Sequence, residues 1–155
     1  MLGEPRPPFR HVLTAIDGSP HAELAFDAAV RIAQRDNARL TLLVVAPDLT
    51  GDARFAWATV NPAALQQDAD NAAERLLREA ADAVPPDLPV TKRFRRGHPG
   101  QEIVAQAAEE DHDVVVVGAR GLGRVIGMMG SVSQHVLRHA ECVVIVTHVP
   151  QDDTS

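Results

Sequence analysis

Apolar residues occur along the chain in two alternating patterns. Short runs of strand length predict five strands, at residues 11–16, 40–46, 90–96, 114–117 and 143–149. Apolar positions three and four residues apart predict helices over residues 24–33, 65–80 and 131–139, and a further helix opening at residues 97–99. This alternation predicts a single α/β domain, in which a doubly wound parallel five-stranded sheet carries helices on both faces.

The third predicted strand decides the strand order, because Lys92, Arg93, Arg95 and Arg96 make up most of it. In the order 2-1-3-4-5 this strand would be central, and burying unpaired charges there is costly. At an edge the charges stay solvated and discourage unwanted pairing. We therefore predict the Rossmann-like order 3-2-1-4-5. That order reverses between strands one and four, so a ligand crevice is expected at their carboxyl ends, near residues 17–18 and Gly118.

A glycine-rich stretch follows the fourth predicted strand, with five of the ten glycines between residues 118 and 130. Glycine allows the backbone to approach a ligand closely, and the helix that follows directs N–H groups toward it, which favours phosphate. Ser131 either contacts that phosphate or caps the helix together with Gln134. The stretch is not a Walker loop, because no lysine precedes the hydroxyl residue. It is not a dinucleotide fingerprint, because the glycines follow strand four.

Charge and composition exclude several classes of protein. A net charge of −6 argues against binding to nucleic acid, and 3% aromatic residues without tyrosine leave little for base stacking. No apolar run approaches the roughly 20 residues of a membrane span, so we expect a cytoplasmic protein without a membrane partner. The single cysteine, Cys142, rules out an internal disulfide and is typical of a buried inert thiol.

Other chemical candidates are weaker. His135 and His139 have the spacing of a metal pair, but no third ligand is evident, and solvated helix histidines are expected. Phe55 and Trp57 lie in the one long loop, where packing is favoured over a lid. No nucleophile elbow surrounds the serines and no carboxylates are paired for hydrolysis, so the sequence predicts a binding protein and not an enzyme.

Three separated motifs resemble the universal stress protein family. They are VLTAIDGS at residues 12–19, GHP at 97–99, and GARG at 118–121 followed by GSVS at 130–133. The resemblance covers residues 11–149. We accordingly expect a universal stress protein domain over residues 10–149, flanked by a disordered extension at 1–9 and a disordered tail at 150–155.

Resemblance to the ATP-binding branch implies a site for ATP, ADP or AMP with Mg²⁺. Asp17 and Gly118 would meet the ribose, and the main chain near Val45 the adenine. The phosphates would meet Gly121, Gly130, Ser131 and Val132. The spacer between the last two motif glycines has eight residues where the family pattern has nine, which shortens the reach by up to about 3.6 Å. The implied nucleotide-site residues are Ala15, Asp17, Val45, Gly118, Arg120, Gly121, Gly130, Ser131, Val132 and Ser133.

The resemblance also implies a homodimer. The last strand is the second edge of the predicted sheet and carries no charge from residue 143 to 147, so it invites pairing with its own copy. The expected function is a nucleotide-responsive stress regulator that acts through a protein partner the sequence does not identify. A nucleotide-free dimeric scaffold and a slow ATP-hydrolysing enzyme are the alternatives. The predicted interface residues are Val143, Val144, Ile145, Val146 and Val149.

Overall fold

Strands and helices alternate in the computed structural model, which describes residue 3 and residues 8–50, 61–120 and 129–150. The described strands form one parallel sheet in the order β3-β2-β1-β4-β5. The predicted fold class and strand order are confirmed. In chain order the elements are β1 (His11–Ala15), α1 (Pro20–Asp36), β2 (Arg39–Ala46), α2 (Pro62–Asp82), β3 (Val90–Arg96), α3 (Pro99–Glu109), β4 (Val114–Gly118), α4 (Ser131–His139) and β5 (Val143–Thr147).

The core has two halves, one on each face of the sheet. Helices α1 and α2 pack on one face and α3 and α4 on the other, against strand residues that are almost entirely aliphatic. Ala25, Ala29 and Ala33 of α1 are fully buried, and their small side chains let α1 lie close to β1 and β4. Among the described residues, no helix combines the length and apolar character needed to cross a bilayer.

The last strand is shorter than predicted, because it ends at Thr147 and not at residue 149. Beyond that point the chain turns to the start of α1. There the Val149 N–H donates to Nδ1 of His21 at 3.2 Å, and the Thr147 hydroxyl donates to the His21 carbonyl at 3.1 Å. Val149 therefore lies outside β5, and its prediction as a residue of the edge strand is wrong.

The amino-terminal boundary also differs from the prediction. Phe9, expected in the disordered extension, packs against the core on the α1 side, and its N–H donates to Oδ2 of Asp36 at 3.0 Å. The Arg10 and His11 N–H groups both donate to the Asp113 carboxylate, which ties this segment to the start of β4. Residues predicted to have roles that lie outside the described part are Phe55, Trp57, Gly121, and the tail residues from 151 onward.

The edge position of β3 is confirmed, but its arginines are not left to solvent. They form ion pairs with acidic residues of the two helices that flank the strand, on both faces of the sheet. Arg95 makes two such pairs, at 2.6 and 2.8 Å, and its side chain is only 23% exposed. The pairs join Arg93 to Glu110, Arg95 to Glu102 and Glu109, and Arg96 to Asp70.

The Asp70–Arg96 pair predicts a specific acid sensitivity. The Arg96 guanidinium holds the pKa of the nearly buried Asp70 below its ordinary 3.8. A carboxyl group whose pKa is lowered by folding contributes its full stabilisation above its unfolded pKa. That contribution is lost as the pH falls through the lowered pKa. We expect Asp70→Asn to lower the free energy of unfolding at pH 7 and to lower it less at pH 2.5, measured by urea denaturation. The exposed Asp68→Asn on the same helix is the control, and an equal loss at both pH values would contradict the assignment.

Candidate binding site at the carboxyl ends of β1 and β4

A cavity of about 240 Å³ lies at the carboxyl ends of β1 and β4, where the strand order reverses. This is the position that the strand order predicted for a ligand crevice. Its lining includes all but two of the residues that the family resemblance implied for a nucleotide. Gly121 lies outside the described residues, and Ser131 is exposed and not part of the lining. The residues brought together are Ala15, Asp17, Val45, Gly118, Arg120, Gly130, Val132 and Ser133.

A tight turn places Asp17 at the rim of the cavity. Asp17 Oδ1 accepts a hydrogen bond from the Ser19 N–H at 2.9 Å, while Gly18 adopts a φ of +81° that favours glycine. The buried Ser19 hydroxyl accepts from the Ala22 N–H at 3.2 Å and so caps the amino end of α1. Asp17 therefore shapes the turn and at the same time faces the cavity.

Gly118 owes its place to a close contact that the sequence does not reveal. A Cβ built on Gly118 would lie 2.7 Å from the carbonyl carbon of His21 and 2.8 Å from its carbonyl oxygen. These are backbone atoms of the first turn of α1 and cannot rotate away. The absence of a side chain at Gly118 thus lets the end of β4 contact the first turn of α1. Gly118 and Ala22, on either side of this contact, line the cavity.

The segment between β4 and α4 is held at its two ends by backbone and serine contacts. The Gly130 N–H donates to the Ala119 carbonyl at 2.7 Å. The buried Ser133 hydroxyl lies 2.9 Å from that same oxygen and 3.0 Å from the Gly130 carbonyl, and it shares its proton between them. The proton of the Ser133 hydroxyl thus goes to these two carbonyls, and the contact of Ser133 with a nucleotide stays a prediction.

The interpretation of Ser131 as a helix cap is wrong. The N-cap of α4 is Gly130, with φ −67° and ψ 157°, and Ser131 is the first helical residue. Gln134 does not complete a capping box either, since its amide nitrogen donates to the Met129 carbonyl at 2.9 Å. A glycine N-cap offers no side chain to the first turn of the helix, and Gly130 faces the cavity.

The remaining cavity wall is largely apolar. Val45, Ile103, Val117 and Val132 contribute aliphatic side chains, while Asp17 supplies the carboxylate among the described lining residues. Such a wall suits a flat aromatic ring, and the glycine N-cap of α4 suits an anion. Among the described lining residues, the Ser133 hydroxyl donates to two backbone carbonyls and not to a carboxylate or an imidazole. It is therefore not paired with a side-chain base as a catalytic nucleophile would be.

The two other sequence candidates lie away from this cavity. The rings of His135 and His139 stack 4.2 Å apart on α4, and Nδ1 of His139 lies 2.9 Å from the His135 carbonyl oxygen. Cys142 is half-buried just before β5, and burial raises the pKa of its thiol.

Comparisons with known proteins agree on one family. The sequence profile of the Universal stress protein family matches residues 8–148. A protein of Staphylococcus aureus (strain USA300) named as a universal stress protein is 33% identical over 149 residues, covering 92% of this chain and 86% of its own.

Solved structures give the same result. Universal stress protein UspA from Lactobacillus plantarum superposes with a TM-score of 0.71 at 27% identity, over 90% of this chain and 97% of its own. A universal stress protein crystallised in complex with cAMP has a TM-score of 0.70 at 28% identity, over 92% of this chain and 99% of its own. The match extends over nearly the whole described fold, and the chain therefore belongs to the universal stress protein family.

Proposed function

We propose that this protein binds an adenine nucleotide in the cavity at the carboxyl ends of β1 and β4. The observation that carries the proposal is the convergence of Asp17, Val45, Gly118 and Gly130 on one cavity from four separate segments of the chain. The structural relative at 28% identity that holds cAMP supports the same ligand class. At about 240 Å³, the described cavity is slightly smaller than typical ligand pockets, which begin at about 300 Å³.

Each part of a nucleotide has a matching part of the cavity. The aliphatic side chains of Val45, Ile103 and Val132 suit the adenine ring. The Asp17 carboxylate suits the ribose hydroxyls, because one oxygen already accepts the Ser19 N–H and the group can accept further donors. The start of α4, with Gly130 as its N-cap, suits a phosphate group.

Mg²⁺ fits this site as a companion of the phosphates. Asp17 is the one carboxylate among the described lining residues, and a single carboxylate does not make a magnesium cage. Mg²⁺ commonly keeps several waters and binds through substrate phosphates, so its presence would follow that of the nucleotide. The phosphate contact implied for Gly121 stays a prediction.

Asp17→Asn separates ligand binding from turn geometry. Asparagine Oδ1 can still accept the Ser19 N–H, so the turn and the cap of α1 should persist. Loss of the charged acceptor should weaken the binding of ATP, AMP and cAMP about tenfold, the equivalent of one charge-assisted hydrogen bond. Isothermal titration calorimetry on nucleotide-free protein, together with thermal denaturation, measures both quantities.

The exposed Asp27→Asn on α1 serves as the matched control, since it removes the same charge away from the cavity. It should leave affinity and melting temperature unchanged. Wild-type protein that shows no saturation with any of the three nucleotides at millimolar concentration would refute the proposed function. Equal affinities of the wild type and Asp17→Asn would refute the role of Asp17 alone.

We further propose that the protein acts as a homodimer joined through β5 and signals nucleotide binding to a protein partner. Strand β5 is an edge of the sheet, and Val143 at its start is 50% exposed. An uncharged apolar edge of this kind is open to pairing with another strand. In a two-fold dimer the same edge would serve on both protomers.

A further inference from the structure

A second group of polar side chains lies at the opposite end of the strands from the cavity, near the amino ends of β1 and β4. It comprises His11, Glu110 and His112, called here the histidine cluster. His11 begins β1, Glu110 is the C-cap that follows α3, and Asp111, with a φ of +52°, turns the chain toward His112. One potential ligand atom from each of the three side chains lies within 4.8 Å of the others.

His112 has an unsatisfied atom in a buried position. Its side chain is fully buried, and its Nδ1 is the one buried side-chain polar atom without a hydrogen-bond partner in the described part of the chain. The ring of His112 also lies against that of His11, with centroids 3.7 Å apart. A fully buried imidazole therefore lies against a partly buried one, and the buried ring makes fewer hydrogen bonds than it can.

The other two members of the cluster are held in place by neighbouring residues. His11 Nε2 lies 2.9 Å from the Thr41 hydroxyl, and its Nδ1 lies 3.1 Å from the Glu110 carbonyl oxygen. The Arg93 guanidinium binds one Glu110 carboxylate oxygen at 2.6 Å, which leaves the other oxygen 3.9 Å from His112 Nε2. A carbonyl oxygen can only accept, so Nδ1 of His11 carries the proton, and Nε2 is the nitrogen that would bind a metal in place of the Thr41 hydroxyl.

Negative charge surrounds the approach to the cluster from solvent. A surface depression beside His112 is lined by the carboxylate side chains of Asp111, Asp113 and Glu141. The Asp113 carboxylate also accepts the Arg10 and His11 N–H groups, which fixes its position next to the cluster. A cation reaching His112 would pass these acids, and their field favours its entry.

We propose that His11, Glu110 and His112 form a binding site for Zn²⁺. Two imidazoles and one carboxylate are a common ligand set for zinc and a poor one for Mg²⁺ or Ca²⁺, which prefer oxygen ligands alone. With ligand distances of about 2.0–2.2 Å, tetrahedral zinc needs its ligand atoms roughly 3.4 Å apart. The nitrogen of His112 nearest the carboxylate is Nε2, and its 3.9 Å separation from Glu110 Oε2 is close to that value. All three ligand atoms lie within 4.8 Å of one another, so they would draw closer by about 1 Å around the ion. The site lies at the amino ends of β1 and β4, whereas the candidate nucleotide cavity lies at their carboxyl ends, so the two sites are independent.

The test is a calorimetric titration of ZnCl₂ into the full chain, freed of any affinity tag, stripped with EDTA and free of nucleotide. We expect one Zn²⁺ per chain with a dissociation constant below about 10 μM, and a rise in melting temperature with zinc. His112→Phe and Glu110→Gln should each weaken binding by about 100-fold or more, the upper range seen even for residues beyond the ligands themselves. His112→Phe keeps a ring in the buried position and removes the unsatisfied nitrogen, so it should fold.

His139→Ala is the matched control, because the His135–His139 pair is the other place where two imidazoles meet among the described residues, and His139 is exposed. It should bind Zn²⁺ like the wild type. Zinc affinity lost in His139→Ala but kept in His112→Phe would place the metal on α4 and overturn the proposal. Absence of saturable binding to the wild type would overturn it as well. Should His112→Phe fail to fold, Glu110→Gln decides, and unchanged affinity in that variant counts against the site.

Discussion

Replacing Val144 with proline is expected to convert a β5-linked dimer into a folded monomer. The Val143 N–H donates to the Asp113 carbonyl at 3.3 Å, and the Thr147 carbonyl accepts the Ala119 N–H at 2.8 Å. The backbone groups of residues 143 and 147 thus face β4. Because these groups alternate along a strand, those of residues 144 and 146 face outward. Proline at 144 removes an outward N–H that a partner strand would use, without breaking the β4–β5 ladder.

Two-fold symmetry doubles the effect, since each substitution removes one hydrogen bond on both sides of the interface. We expect a loss of about 2–4 kcal/mol in association free energy, which is about 30- to 900-fold in the dimer dissociation constant. Light scattering coupled to size-exclusion chromatography over a range of micromolar concentrations measures it. Val144→Ala keeps the N–H and should remain dimeric. A folded Val144→Pro that stays dimeric, or a monomeric wild type, would place the interface elsewhere or remove it.

Gly118→Ala should destabilise the fold by about 1–3 kcal/mol, the usual penalty for forcing atoms into a packed interior. The added Cβ would meet the His21 backbone at 2.7–2.8 Å, so β4 and the first turn of α1 must move apart. In a domain of this size the expected fall in melting temperature is roughly 2–4 °C per kcal/mol. Urea denaturation gives the free energy directly.

Gly18→Ala provides the comparison for this prediction, because it tests backbone conformation without a clash. Gly18 has a φ of +81°, but a Cβ added there would meet nothing within 4 Å, so alanine should cost only about 1 kcal/mol. Stability of Gly118→Ala equal to that of the wild type would show that β4 and α1 can separate freely. In that case Gly118 would be needed for its ligand alone.

The strand order could be predicted from the sequence because one strand carried a decisive signal. Burying four basic side chains in a central strand would be costly without a matching set of partners, so the pattern favours the edge position that β3 occupies. The partners themselves could not be predicted. Glu102 and Glu109 lie on different turns of α3, and both contact Arg95. Asp70 contacts Arg96 from α2. Only the packing of helices on the sheet brings these residues together.

The candidate site shows the same division. Local patterns marked Asp17 and the glycines, since turn residues and helix starts act over a few positions. They misjudged Ser131, because Ser and Gly are both accepted at an N-cap and the contacts of Ser133 with Ala119 and Gly130 decide which residue starts the helix. The histidine cluster gave no sequence signal at all, since His11 and His112 are a hundred residues apart and meet only through the pairing of β1 with β4.

The central position of β1 has a consequence for how the chain is made. One neighbour of β1 is β2, which follows soon after, but the other is β4, and the Thr14 hydroxyl bonds the Val116 carbonyl across 102 positions of sequence. At synthesis rates of about 5–20 residues per second, the ribosome needs roughly 5–20 s to cover that distance. During this interval the nascent chain carries an apolar strand with one side unpaired. The domain therefore cannot be completed progressively from its amino terminus, and its centre closes only when the second half of the chain has emerged.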